Sequence, residues 1–448
     1  MLQPKLYGDA KWMGRYSAKQ NDLFTDNGIL LGKKWGEYLK IGGWEHVLCF
    51  APSGSGKSTA IAIPNLLSWD ESAICLDIKG ELYKTTAAFR EKCGHKCFLL
   101  DPGNPSGTKH CFNPLDLISK DKHVRINDIQ KIANLFFPDR ERVEPIWSSG
   151  PRDLFLGVCL FVLDSPEYKN TLGEIARFLK EPNIDKFLQE ELEENPNLDP
   201  RCIHSLSSYL SMSENTRSSI RAIFLSSLEL FNNPIIDKAT SKTDFNLEDL
   251  RKNKISIYVK VSNDNLTRLA PLVNLFFQLS MDVLTRKEPD PAKEPNGILF
   301  LLDEFVALGK MPLFKSTIGL LRSYRIRLLM IIQDIAQLND LYGQEGAKIF
   351  LNVKVRLAFA QNSLDTAVYL SKLMGEKTVR KTSNTAKGSL LTSSSNKTEV
   401  KAPLMMPQDI LKLPEQQLLI LIQGLEPLRA NKVVWFRDRV LRKRSKSL

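Results

Sequence analysis

The sequence predicts an α/β protein: a mostly parallel sheet flanked by helices, with an all-helical domain inserted into it. Three observations predict this. Seven short apolar runs alternate with helical stretches along the 448 residues, and several of them are apolar almost throughout, as strands covered on both faces must be. A glycine-rich loop stands directly between one such run and a helix-compatible stretch. Between residues 120 and 243 the strand signal vanishes and a helical period replaces it.

In chain order the strand-like runs are Val47–Phe50, Ala73–Ile78, Cys97–Leu100, Ile255–Val261, Ile298–Leu302, Ile326–Ile332 and Val353–Ala360. In the helical stretch Leu154, Leu156, Cys159, Leu160 and Leu163 share one apolar face. Residues 1–119 and 244–448 are thus expected to form the sheet domain, and residues 120–243 the insert. The acidic stretch Glu190–Asp199 reads as a solvated helix and loop. Arg380–Lys401 is rich in Ser, Thr, Asn and Lys, the composition of a mobile loop or an exposed hairpin. Leu418–Ile422 and Val433–Phe436 are expected as two last strands completing a sheet edge.

Composition narrows the class. With 43% hydrophobic residues the chain can bury a sizeable core, and its net charge of +11, from 62 Lys and Arg against 51 Asp and Glu, favours nucleic acid, acidic protein or anionic lipid as partners. The basic ending Arg437–Lys446 reads as a solvated tail. Seven cysteines, an odd number, with Cys49 and Cys75 sitting inside apolar runs that read as buried strands, indicate reduced thiols rather than a disulfide framework. Cys93, His95, Cys97, His110 and Cys111 could be drawn as a zinc site, but their spacing matches none of the paired-cysteine patterns. No run reaches the ~18 apolar residues of a membrane-spanning helix, and no signal peptide is present. As written, the chain is expected to be soluble and cytoplasmic.

The chemistry concentrates at strand ends. Ala51-Pro-Ser-Gly-Ser-Gly-Lys-Ser-Thr59 follows a strand and opens a helix, the context a phosphate-binding loop requires. Gly54, Ser55 and Gly56 would turn backbone N–H groups toward phosphates, and Lys57 would pair with the β- and γ-oxygens. Ser58 would ligate Mg²⁺, and Thr59, where the helix begins, is expected to bind the nucleotide with them. The strict consensus wants Gly where Ala51 stands. Ile298-Leu-Phe-Leu-Leu-Asp-Glu304 supplies the partner acids: Asp303 would orient Mg²⁺ and its water, and Glu304 would be the general base. Gln333, closing another strand, would sense the γ-phosphate, with Asp334 beside it as a helix cap. Arg322, Arg325 and Arg327 lie between these elements, and one of them would serve as an arginine finger toward a neighbouring subunit's nucleotide; otherwise they are basic residues at a solvated helix end. The ligands expected are therefore ATP and Mg²⁺.

These residues, together with Tyr7-Gly-Asp-Ala-Lys-Trp12, Leu76-Asp-Ile-Lys-Gly-Glu81, Asp101-Pro, Asn113-Pro-Leu115, Leu302-Asp-Glu-Phe-Val-Ala-Leu-Gly309, Gln333-Asp-Ile-Ala-Gln-Leu338, Pro403-Leu-Met-Met-Pro407 and Leu428-Arg-Ala-Asn-Lys432, resemble the type IV secretion coupling proteins, the TraG- and TraD-like conjugation ATPases. The resemblance covers nearly the whole chain. It implies a RecA-like nucleotide-binding domain, a ring of six with active sites between subunits, and a helical insert that receives substrates at the cytoplasmic face of the inner membrane. The implied cargo is a relaxase–DNA complex or a set of effector proteins. Single-stranded DNA, other secretion ATPases and inner-membrane components are the further partners implied. By motif position Arg322 matches the finger best. Asp77, Lys79 and Glu81 match a box beside the nucleotide without individual roles. Members begin with a membrane hairpin, and this sequence starts about where that anchor would end, which implies a soluble fragment or an anchorless variant. The competing readings are a substrate receptor whose nucleotide use is regulatory and an FtsK-like double-stranded DNA translocase.

Overall fold

A computed structural model describes residues 8–139, 142–386 and 393–446, with side chains throughout except at 380–397. The strands, in chain order, are β1 (Ile29–Lys34), β2 (Glu37–Ile41), β3 (Val47–Phe50), β4 (Ser72–Asp77), β5 (Lys96–Leu100), β6 (Ile255–Lys260), β7 (Ile298–Leu302), β8 (Ile326–Ile332), β9 (Val355–Ala358), β10 (Glu376–Ala386), β11 (Ser393–Pro403), β12 (Gln417–Ile422) and β13 (Leu428–Asn431). Eleven of them form one sheet in the order β2-β1-β13-β12-β9-β3-β8-β7-β4-β6-β5. From β9 to β5 every pairing is parallel; the four strands on the other side pair antiparallel.

All residues of β3, β4, β7 and β8 are buried, so alternate side chains of one strand feed two separate cores. Leu48, Phe50, Phe300 and Leu302 belong to one; Val47, Cys49, Leu299 and Leu301 belong to the other. This two-sided burial is why the runs carry no polar alternation.

Between β5 and β6 the described chain is helical, from Val124–Phe136 to Pro234–Ala239. Its core is continuous with that of the first sheet face. The central helix, Ile146–Asp164, has 19 residues, more than its apolar run suggests. It is long and apolar enough to cross a membrane, yet here it packs against helices Pro200–Leu210 and Glu214–Ser227, with Leu154 to Val162 all buried. Asp199 is not solvated as expected: with Asp164 it pairs with Arg125 of helix Val124–Phe136, the Nη2 to Oδ2 distance to Asp199 being 2.6 Å.

Three expectations about the chain's last third need correction. Val433–Phe436 is not a strand. The strand is Leu428–Asn431, and the apolar residues after it lie over the helix that follows the glycine-rich loop, where the backbone N–H of Trp435 donates to Thr59 O at 3.2 Å. Nor do β12 and β13 complete an edge. The edge is the β1–β2 hairpin, turned at Trp35 and Gly36, both with positive φ as such two-residue turns require. The basic ending is not a solvated tail through its described length. Helix Arg439–Ser445 is capped by Asp438 and tied down by Arg444, which donates to Leu67 O at 2.7 Å. β10 and β11 pair as an antiparallel hairpin, one of the two forms that composition allowed; residues 387–392 of that stretch lie outside the described residues, as does Tyr7.

Candidate nucleotide site

The neighbouring parallel strands β3, β8 and β7 end side by side, and their carboxyl ends deliver the three predicted elements to one place. β3 runs into the glycine-rich loop, in which Gly54 and Gly56 take φ of +75° and +81°. That backbone lies outside the comfortable range of other residues and keeps successive amides free to point inward. Ser55 Oγ donates to Pro52 O and Thr59 Oγ1 to Gly56 O, closing the loop on itself.

Lys57 and Ser58 then meet the acids at the end of β7. Ser58 Oγ donates to Asp303 Oδ2 at 2.6 Å. Lys57 Nζ lies 3.9 Å from Asp303 Oδ1 and forms an ion pair with Glu304 Oε2. From β8, Gln333 Nε2 donates to Glu304 Oε1 at 2.6 Å. The structure thus brings Lys57, Ser58, Asp303, Glu304 and Gln333 into one connected group. Glu304 holds a left-handed backbone, φ 73° and ψ 54°, a conformation that costs a non-glycine residue about 1–3 kcal/mol and is kept where surrounding structure enforces it. Asp334 caps helix Ile335–Leu351, as expected, and the backbone N–H of Gln333 donates to the side-chain Oε1 of Gln337 at 3.0 Å.

Burial sets the electrostatics. It lowers the Lys57 ammonium against the pull of Asp303, and it raises Asp303, opposed by the Ser58 hydrogen bond and by Lys57 and Lys79. Asp77, at the end of β4 next to β7, is raised to about 6, first by burial despite backbone N–H donors from Tyr83, Leu82 and Gly80. Its Oδ2 accepts from Tyr83 N at 2.9 Å, so Asp77 caps helix Glu81–Lys92. Lys79 and Glu81 are exposed.

The residues present fit a triphosphate with a hard cation. Among the described residues, Asp303 Oδ1 is buried without a hydrogen bond; such an oxygen beside a serine hydroxyl is the donor set Mg²⁺ takes.

The three arginines separate cleanly. Arg327 is fully buried and donates to Ile41 O, Gly43 O and Glu45 O; Arg325 donates to Glu294 O and Pro295 O and lies over the Trp44 ring. Both hold structure. Arg322 is half-exposed, bonded only at one nitrogen to Glu45 at 2.8 Å. Glu45 precedes β3 whereas the glycine-rich loop follows it, so Arg322 sits at the opposite end of the sheet from its own loop. The seven residues of β8 put roughly 20 Å between that end and Gln333.

Of the five possible zinc ligands, His95 Nδ1 faces Arg90 and Ser256, His110 Nδ1 accepts from Leu99 N, and Cys93 is exposed. Sequence reasoning missed Lys432, whose Nζ donates to Ser55 O at 3.0 Å. It stood in the Leu428–Lys432 box, but nothing local marked it as a neighbour of the loop 377 residues away.

A family model described as type IV secretory system conjugative DNA transfer matches residues 5–448. Protein VirD4 of Agrobacterium fabrum is 29% identical across 98% of this chain and 67% of its own length. VirD4 of Rhizobium rhizogenes is 30% identical across 97% and 64%, and the conjugal transfer protein TraG of Escherichia coli 29% across 98% and 78%. The chain therefore spans about two thirds of the length of the VirD4 relatives it matches. Among solved structures, the bacterial conjugative coupling protein TrwBdeltaN70 superposes with a TM-score of 0.69 over 96% of both chains at 15% identity. TrwB in complex with the non-hydrolysable ATP analogue ADPNP gives 0.69 at 14% identity. At these identities the likeness bears on fold, and it agrees with the α/β architecture expected from the sequence.

Proposed function

The chain belongs to the type IV secretory system conjugative DNA transfer family, and on that footing we propose that it is an ATP-driven coupling protein that delivers nucleoprotein or protein substrates to a secretion channel. The observation that supports this most is the convergence of Lys57, Ser58, Asp303, Glu304 and Gln333 at three adjacent strand ends. The naming of TrwB complexes with ADPNP and with ADP and Mg²⁺ adds to it.

In this reading the inward amides of Gly54 to Ser58 hold the phosphates of ATP. Lys57 exchanges its pairing with Glu304 for the β- and γ-oxygens, which frees the Glu304 carboxylate. Ser58 Oγ and Asp303 would hold Mg²⁺, which when bound would supply charge neutralisation at the phosphates. Glu304 takes a proton from the attacking water as the new P–O bond forms and the bond to the bridging oxygen of ADP breaks; Gln333, bonded to Oε1, sets the direction of the carboxylate and of the water. Arg322 serves the nucleotide of a neighbouring copy, so the working form is a ring, proposed as a hexamer at the cytoplasmic face of the inner membrane.

Hydrolysis reaches the helical insert through the segment after Glu304. Asn274 of helix Leu266–Thr285 donates to Leu308 O and Lys310 O at 2.6 and 2.9 Å, and the same helix pairs with the insert through Asp282 and Lys131 at 2.6 Å. A cleft of about 980 Å³ between Phe136, Arg152, Pro271 and Lys310 leaves that segment room to move.

Two variants test the assignment. Lys57→Ala should lose ATP affinity, whereas Glu304→Gln should bind ATP and hydrolyse it ~10²- to 10⁴-fold more slowly. Near-normal turnover in Glu304→Gln removes that residue from the mechanism.

A further inference from the structure

Lys432 reaches the glycine-rich loop from the side opposite to the acids. It leaves β13, on the β9 side of β3, whereas Asp303, Glu304 and Gln333 come from the β8 side. Its Nζ donates to Ser55 O at 3.0 Å and lies 3.6 Å from the centroid of the Phe359 ring. Phe359 is itself fixed to β3, its N–H donating to Phe50 O at 3.0 Å. Three residues after Lys432, the N–H of Trp435 grips Thr59 O, so one strap touches the loop on both sides of Lys57. Among the described residues no carboxylate lies at ion-pair distance from Lys432. Burial pulls its ammonium down to about 8, which marks a cation held over an aromatic ring and a carbonyl rather than a solvated surface lysine.

The carbonyl it binds belongs to the same peptide group as the Gly56 N–H, one of the amides that hold the phosphates in the reading proposed above. A cation on the oxygen pins that peptide's orientation and polarises its N–H toward a stronger donor. We propose that Lys432 is a positioning residue for the nucleotide, fixing and polarising the Ser55–Gly56 peptide so that its N–H binds phosphate. The inference rests on the reading that ATP occupies the loop.

The test uses the full chain, a fluorescent ATP analogue and steady-state hydrolysis. In Lys432→Met, which keeps an unbranched side chain over Phe359, the Kd for the analogue should rise roughly tenfold, the scale of losing a hydrogen bond from a charged donor. KM should rise in parallel while kcat at saturating ATP stays close to wild type, and Lys432→Arg should restore most of the affinity. The melting midpoint without nucleotide should not move. Unchanged Kd and KM in Lys432→Met, with Lys57→Ala binding nothing, overturns this inference alone. A lowered melting midpoint with no rescue by Arg overturns it too, in favour of simple packing. A wild-type chain that binds no analogue overturns both this inference and the reading beneath it.

Discussion

Replacing Arg322 with Ala separates an active-site role from a structural one. Among the described residues its side chain's one polar contact is the ion pair with Glu45, and that side chain is 54% exposed, so the stability at stake is within about 0–1 kcal/mol. Lys354 remains to pair with Glu45 at 2.9 Å, which makes the loss smaller still. An arginine finger, by contrast, is worth ~10³- to 10⁵-fold in kcat. Arg322→Ala should therefore melt with the wild type and bind nucleotide with the wild type, yet lose hydrolysis. Because its position across the sheet puts it out of reach of its own loop, activity should return when Arg322→Ala is mixed with Lys57→Ala, since a mixed ring contains interfaces with an intact loop on one side and an intact Arg322 on the other. Specific activity of the wild type should also rise with protein concentration. Failure of mixing to rescue, under conditions where wild-type subunits assemble, refutes the trans assignment.

Arg327→Met should do the reverse and destabilise by about 1–3 kcal/mol, read in urea unfolding, because it removes the guanidinium that now satisfies the carbonyls of Ile41, Gly43 and Glu45; little loss would show that water or rearrangement replaces it. Acid should also weaken the fold through His46, whose pKa burial lowers to about 4. The unfolded residue titrates near 6.5, so its contribution is full above about 6.5, declines as pH falls and is gone below about 4. A His46→Gln variant should show a flatter stability profile across that window, and an unchanged slope would assign acid sensitivity to other groups.

The convergence of the candidate site was readable in the sequence because its parts are local: a strand, then a loop or an acid pair at its carboxyl end. Parallel pairing of β3, β8 and β7 then brings them together without further information. The apolar runs were equally legible, since strands buried on both faces lose their polar alternation. What local pattern does not carry is pairing across the chain. Ile29–Lys34 alternates poorly and joins the sheet through β13, hundreds of residues later, so the hairpin edge was missed. Val433–Phe436 looks like a strand because it is apolar, but Val433, Val434 and Trp435 join the core that holds Ala60 to Ile63 while Phe436 is exposed. Arg325 and Arg327 could not be told from Arg322 until burial and carbonyl partners distinguished them, and Lys432 emerged only when the last strand was placed beside the loop.

In the proposed function ATP hydrolysis, rather than nucleotide occupancy alone, drives cargo. The decisive experiment is steady-state ATP turnover by assembled chain with and without single-stranded DNA. Measurable hydrolysis that single strands stimulate is expected, with the stimulation fading as salt releases phosphate contacts. Assembled chain that binds ATP but does not turn it over, with DNA or without, would contradict it and leave a receptor whose nucleotide only sets its conformation.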